Sequence, residues 1–342
     1  MKFFIFPLFS LVFGLSLAGL ISWNLSSNWM TVWKSLLTVL LLSVLEISLS
    51  FDNAVVNATV LKKMSEVWKK RFLTWGMLVA VFGMRLLFPL VIVSLTAGIS
   101  LLDSIQLAFL KPDEYSQMML ASHLSVSSFG GTFLLMVFLH FFMNDEKEVH
   151  WIPFFEKPML QISRVKSSEL LIALLVLLGI YKYLPQEEAL PFLTSALWGL
   201  VTFILVHGVS ELLEDSSLSK SKWLSSGFGM FLYLEVLDSS FSFDGVVGAF
   251  AISHEVFVIV LGLSIGAFFV RALTLYLVEK ETLNQFIFLE HGAFYALGAL
   301  ALFMLLDPFF AFSEWVTALA GAAILCLSVL WSVYVDRPNG TE

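Results

Sequence analysis

Long apolar runs constrain this chain more than any other feature. They fall at about 3–22, 35–61, 72–97, 129–143, 168–184, 191–213, 226–252, 256–278, 289–306 and 314–335. About 20 apolar residues suffice to cross a bilayer as a helix, and only helices satisfy their own backbone at that length in lipid. The runs predict an all-α, polytopic membrane protein of about ten transmembrane helices, with the lipid bilayer as its first partner. Composition agrees: 58% of residues are hydrophobic and 13% charged, against roughly 25% charged in soluble domains. The first run lacks a clear small-residue cleavage site, so it reads as a retained helix and not as a signal peptide. The single cysteine, Cys326, allows no internal disulfide and no CxxC site. No long basic run or recognition motif points to nucleic acid.

Basic residues set the expected orientation. The loop 62–71 carries Lys62, Lys63, Lys69, Lys70 and Arg71, and the segment 144–167 carries Lys147, Lys157, Arg164 and Lys166. If every run spans, the opposite side receives only Lys34, Lys111 and Lys182. The positive-inside rule then puts both termini in the cytoplasm. The 98–128 connection, on the other side, reads as an ordinary solvated loop. Segment 144–167, with Trp151, Pro153 and Pro158, reads as an interfacial cytoplasmic connector. It separates two membrane halves, 1–150 and 151–342, each with one copy of an acidic repeat.

That repeat is the second strong feature. Residues 45–56 read LEISLSFDNAVV and residues 237–248 read LDSSFSFDGVVG. Without a gap, Glu46 falls on Asp238, Ser50 on Ser242, Asp52 on Asp244 and Asn53 on Gly245. The likeness continues: 75–88 lies on 261–274, placing Gly76 on Gly262 and Arg85 on Arg271, and more weakly 129–145 resembles 290–307. Five spans separate each helix from its counterpart, an odd number, so the copies run in opposite directions. This is an inverted repeat, the arrangement common in secondary transporters.

Carboxylates in apolar runs are costly and mark functional sites by default. Six residues turn a helix by about 600°, or 240° beyond a full turn, so Glu46 and Asp52 do not share a face of a straight helix. A break near Ser48–Asp52 is expected to turn both inward and to free backbone carbonyls. Carboxylate, carbonyl, hydroxyl and water oxygens suit hard divalent ions such as Mn²⁺, Mg²⁺ or Ca²⁺. The competing reading pairs the carboxylates with Arg85 and Arg271 and makes them helix glue; for the arginines, charge compensation is the favoured role. Glu235 has Ser43 as its counterpart and either joins the site or neutralises an arginine. Asn57 either extends the coordination or, the favoured reading, makes a helix-packing contact, and His140 and His207 read as single structural histidines.

The paired acidic segments, with FVRALTLYLV and LEHGAFYALGAL further on, resemble the TerC-like membrane family. That family is grouped with tellurium-resistance and manganese-exporter proteins in a superfamily that includes lysine exporters. The resemblance spans roughly residues 35–325. It implies a bacterial inner-membrane protein, not an enzyme, that exports divalent metal, Mn²⁺ foremost and Ca²⁺ next, as substrate and without a prosthetic group. The residues carried over as metal ligands are Glu46, Asp52, Asp238 and Asp244, with Asn53 and Ser242 as lesser candidates. Protons are candidate exchange partners, since clustered carboxylates trade metal for H⁺. Other classes are an exporter of a small organic cation, an intramembrane aspartyl protease, which the absent Gly-x-Gly-Asp pattern disfavours, and a non-transporting scaffold that aids metal loading.

Overall fold

The structure is a computed structural model describing residues 2–144, 147, 149–214, 227–280 and 282–335. Within these, the side chains at 73, 211–214, 243–244, 283–284 and 314–315 lie outside the described set. The described residues are helical and contain no strand. The helices are α1 (Ile5–Ser26), α2 (Trp29–Leu49), α3 (Phe51–Lys63), α4 (Glu66–Ala97), α5 (Leu101–Leu110), α6 (Pro112–Ala121), α7 (His123–Phe142) and α8 (Pro153–Ile162). They continue with α9 (Ser168–Tyr183), α10 (Gln186–Glu214), α11 (Phe228–Ile252), α12 (Val256–Glu279), the single turn α13 (Thr282–Gln285), α14 (Leu289–Phe310) and α15 (Glu314–Val335).

Eight of the described helices are long and apolar enough to cross a membrane. Two of the expected ten fall outside that set for plain reasons. Helix α9 has 16 residues. Helix α11 has 25, yet every 18-residue stretch of it holds Glu235, Asp238 and Asp244. Large apolar side chains on α1, such as Phe9 and Val12, are exposed, as lipid-facing groups are. Helices α7 and α12 are the most enclosed of the eight. The core draws on both halves: Phe133, Leu134, Leu234 and Leu297 share one buried cluster.

Counterpart helices run antiparallel, as an inverted repeat requires. Between α7 and α14, Gly131 faces Met304 and Leu305, Gly298 faces Phe138, and the Phe141 and Phe294 rings stack at 3.7 Å. Between α2–α3 and α11, Gly245 faces Glu46 while Asn53 meets Asp238.

One expectation fails outright. The 98–128 connection is not a solvated loop but a pair of helices, α5 and α6, leading into α7. Ser100 caps α5 by accepting the Asp103 N–H at 3.1 Å, and Pro112 opens α6 where no N–H partner is needed. Ser104 donates to the Leu90 carbonyl at 2.9 Å and Ser116 to the Phe250 carbonyl at 3.3 Å, while Tyr115 and Met119 are buried. The connector 144–167 holds α8, fixed by a fully buried carboxylate. Glu156 accepts from Lys147 Nζ (3.1 Å), the Trp151 and Ile152 N–H groups (3.1 and 3.0 Å) and the Tyr295 hydroxyl (3.1 Å), with the His150 ring 3.1 Å away.

Candidate functional site

The break between α2 and α3 does not unwind the chain. The Ser50 N–H bonds the Glu46 carbonyl and the Ala54 N–H the Ser50 carbonyl, both at 3.0 Å, while the Asn53 N–H turns to the Asp52 carboxylate. Helical register is kept across the joint, since Glu46, Ser50, Asn53 and Asn57 all line one cavity. Glu46, Ser50, Asn53 and Asn57, spaced by four, three and four, form one stripe. On α11, Glu235, Asp238, Ser242 and Gly245 form the matching stripe, and the two stripes face each other in opposite directions.

Their contacts follow a two-fold logic. Asn53 Nδ2 donates to Asp238 Oδ1 at 2.7 Å, and Asn57 Nδ2 lies 3.4 Å from the same oxygen. The repeat-related contact puts Gly245 against Glu46: a Cβ added there would stand 3.1 Å from Glu46 Oε2. Likewise Ser43 donates to the Gly262 carbonyl at 3.0 Å, and its counterpart Glu235 sits against Gly76, the counterpart of Gly262. Gly76 has to be glycine, since a Cβ would collide with both Glu235 Oε1 and Arg271 Nη2.

The arginines are held by a distortion of α4, which is π-helical over Phe72–Gly76 and Val79–Leu87. Such wide turns turn carbonyls away from the regular ladder and gather at functional sites. Arg85 pairs with Glu46 and donates to the Ala80 and Leu263 carbonyls at 2.5 and 3.3 Å. Arg271 donates to the Phe72 carbonyl and lies 3.7 Å above the Phe72 ring. Glu46 Oε1 is also bonded by the Ser50 hydroxyl at 3.3 Å. Two carboxylates (Glu46, Asp238) and two guanidinium groups line one narrow cavity, and Asp238 and Glu235 both act on Arg271.

The two ends of this cluster differ. Around Asp238, the acceptor oxygens Asn53 Oδ1, Asn57 Oδ1 and Glu235 Oε1 are buried without a hydrogen-bond partner, as is Ser242 Oγ. Buried polar oxygens of this kind are normally satisfied. The adjoining cavity, lined by Asn53, Asn57, Asp238 and Thr274, has room for about one water-sized species. Among the described residues no three His, Cys, Asp or Glu side chains converge to hold a metal. A bound ion would need the amide oxygens as well.

The structure separates residues that the sequence grouped. Asp52 is buried but, because register is kept, lies on the other face of α3. Its Oδ1 accepts the Asn53 N–H at 3.0 Å, and its carboxylate faces a different cleft lined by Phe241, Ala296, Thr317 and Gly321. The expected inward turn of both Glu46 and Asp52 does not occur. Asp244 lies in α11, but its side chain is outside the described residues. Asn57, weighed between packing and extending the coordination, belongs to the stripe. His140 and His207 are not isolated: their rings lie 4.3 Å apart, and His140 Nδ1 is 3.4 Å from Glu169.

Residues 51–339 match the family described as "Protein of unknown function (DUF475)". The chain belongs to this family. A DUF475 relative by sequence is an "Uncharacterized membrane protein YceF" of Bacillus subtilis (strain 168), 27% identical over 165 residues. That likeness covers 38% of this chain and 63% of the relative, so the chain spans less than two thirds of it. No solved structure matches. Family, relative and apolar helices agree on a membrane protein.

Proposed function

We propose that this DUF475 protein is a transporter that exports a hard divalent cation, Mn²⁺ foremost, across the bacterial inner membrane in exchange for protons. The resemblance of its acidic segments to TerC-like proteins supports that substrate, and the excess of basic residues in 62–71 and 144–167 supports cytoplasmic termini. One observation carries the reading: at the interface of two antiparallel repeats, Asn53 and Asn57 turn their amide nitrogens to Asp238 Oδ1, while their amide oxygens are buried in the same cluster with no hydrogen-bond donor. Hard ions take such mixed carboxylate and carbonyl oxygen sets. The inverted repeat supplies two related states that alternate access. Glu46 serves here as the partner of Arg85, and Asp238 as the charged ligand.

The test is Mn²⁺ uptake into energised inside-out vesicles. Asp238→Asn keeps an oxygen but removes the charge, and is expected to lower uptake at least about tenfold at normal protein yield, because ligand charge sets affinity for such ions. Wild-type uptake by Asp238→Asn, or no Mn²⁺ uptake by the unaltered protein, overturns the reading.

A further inference from the structure

Asp52 is the buried acid that the central cluster leaves out, and its surroundings give it a different part. Among the described residues its cleft contains no arginine or lysine; the lining is Ser48, Leu49, Phe51, Phe241 and residues of α14 and α15 between Ala296 and Ala322. Gly321 of α15 leaves its Oδ2 uncrowded, with a built Cβ at 3.7 Å. The cleft ends on Thr317, and Thr317 also lines a second, roomier cavity with His123, Ser127 and Asp307. His123 Nδ1 and Asp307 Oδ2 are 3.3 Å apart at its rim. Along α14, Ala296 and Leu300 line the inner cleft while Phe303, Met304 and Asp307 line the outer cavity, so a single helix face runs through both. The outer cavity lies where α7 starts and α14 ends, at the face opposite the basic segments 62–71 and 144–167.

We infer that Asp52, Thr317, Ser127 and Asp307 form an acidic conduit that joins the repeat interface to the non-cytoplasmic face, a release path for a small cation. Its geometry is independent of the cargo, but its role rests on the transport reading above. The two carboxylates bracket a passage whose other polar groups are hydroxyls and one histidine, so its field favours cations. Arg85 and Arg271 line the other cavity.

Thiol labelling in intact cells tests this without any transport assay. In a Cys326→Ser background, Thr317→Cys is expected to react with the membrane-impermeant cationic reagent MTSET from outside. Ala301→Cys, fully buried, serves as the unreactive control. The rate ratio of MTSET to the anionic MTSES, normalised to a free thiol in solution, should be raised. Asp307→Asn and Asp52→Asn should each lower it about threefold or more, as one charge within several ångströms does in a partly wetted passage. Ser127→Cys, in the same outer cavity, is the second probe should Thr317→Cys fold poorly. Reaction only after permeabilisation, or a ratio that neither Asn substitution moves, overturns the conduit. Protection of Thr317→Cys by excess Mn²⁺, lost in Asp52→Asn, ties the conduit to the cargo. An open acidic conduit without such protection rejects the release role, while uptake by Asp238→Asn is judged separately.

Discussion

Replacing Arg85 by methionine tests the central pair most directly. Arg85 and Glu46 side chains are 4% and 2% exposed, and Arg85 serves Glu46 and the carbonyls of Ala80 and Leu263 at once. Without the guanidinium, a carboxylate is left packed against Gly266, whose built Cβ would lie 2.5 Å from Glu46 Cβ, with only Ser50 as donor. Breaking a buried pair from one side costs about 3–5 kcal/mol in soluble proteins. At about 1.4 kcal/mol per factor of ten, the folded-to-unfolded ratio falls about a hundredfold or more. Replacing both partners by groups of similar size is often close to neutral. Glu46→Gln/Arg85→Met should therefore recover most of the loss, a coupling of about 2–3 kcal/mol in a double-mutant cycle. Reversible unfolding in mixed micelles, read as the shift in denaturant midpoint, supplies the measurement. Asp52→Asn/Arg85→Met is the control: with Asp52 on the other face of α3, its effects should simply add. Rescue by Asp52→Asn, or a Glu46→Gln/Arg85→Met protein as unstable as the single variant, would refute the pairing.

Gly266→Ala drives a methyl into Glu46 and to 2.9 Å from the Ser43 carbonyl, so it should cost at least about 1–3 kcal/mol, whereas Gly179→Ala on α9 meets nothing within 4 Å and should be neutral or gain up to about 1 kcal/mol; melting temperatures in detergent compare the two. At Glu156, burial alone would raise the pKa, but the Ile152 N–H and the neighbouring Lys147 hold it below the usual carboxylate range. A depressed acid contributes stability above its unfolded pKa of about 4.3 and loses it as pH falls through the lower folded value. The stability gap between the wild type and Glu156→Gln should thus be full at pH 6–8 and shrink in acid, as unfolding midpoints measured along a pH series will report; a gap that widens in acid would reverse the sign.

Much of this architecture is written in the sequence because lipid leaves few choices. Apolar runs of spanning length have to be helices, and a gapless motif repeated five spans apart has to be inverted. The pairing of Glu46 with Arg85 entered only as the competing reading, because two acidic motifs in apolar runs pointed first to metal ligands. Asp52 was misplaced for a definable reason. Ser48, Ser50 and Asn53 invite a broken helix, but a serine whose N–H and carbonyl both stay in the ladder bends the chain without changing its face. The π-turns in α4 leave no signature beyond Gly76 and Gly83. Helices α5 and α6 were hidden because ten-residue helices carry little periodicity, and what fixes them is tertiary: Ser104 and Ser116 bonding to carbonyls of other helices. Glu156 looked like one more charge in a mixed segment. Its donors come from five positions between 147 and 295, which no local reading assembles.

The repeat is most informative where it is broken. Were its halves identical, both acid–arginine pairs would sit in equal surroundings and neither end of the interface would differ from the other. Instead, glycine at 245 where the other half has Asn53 lets α11 close against Glu46, and Arg85 completes the bonding there. At the related position Asn53 reaches across to Asp238, and Glu235 replaces the small Ser43, adding a second carboxylate beside Arg271. One end is therefore paired with an arginine and tightly packed, while the other keeps acceptor oxygens with no donor. A structure with two related arrangements populates them in proportion to their free energies. Substitutions that pair one end and leave the other unsatisfied bias that equilibrium, and a ligand that supplies positive charge to the unsatisfied oxygens shifts it further. On the transport reading proposed above, the asymmetry between Asn53 and Gly245 is what gives the resting state a preferred side.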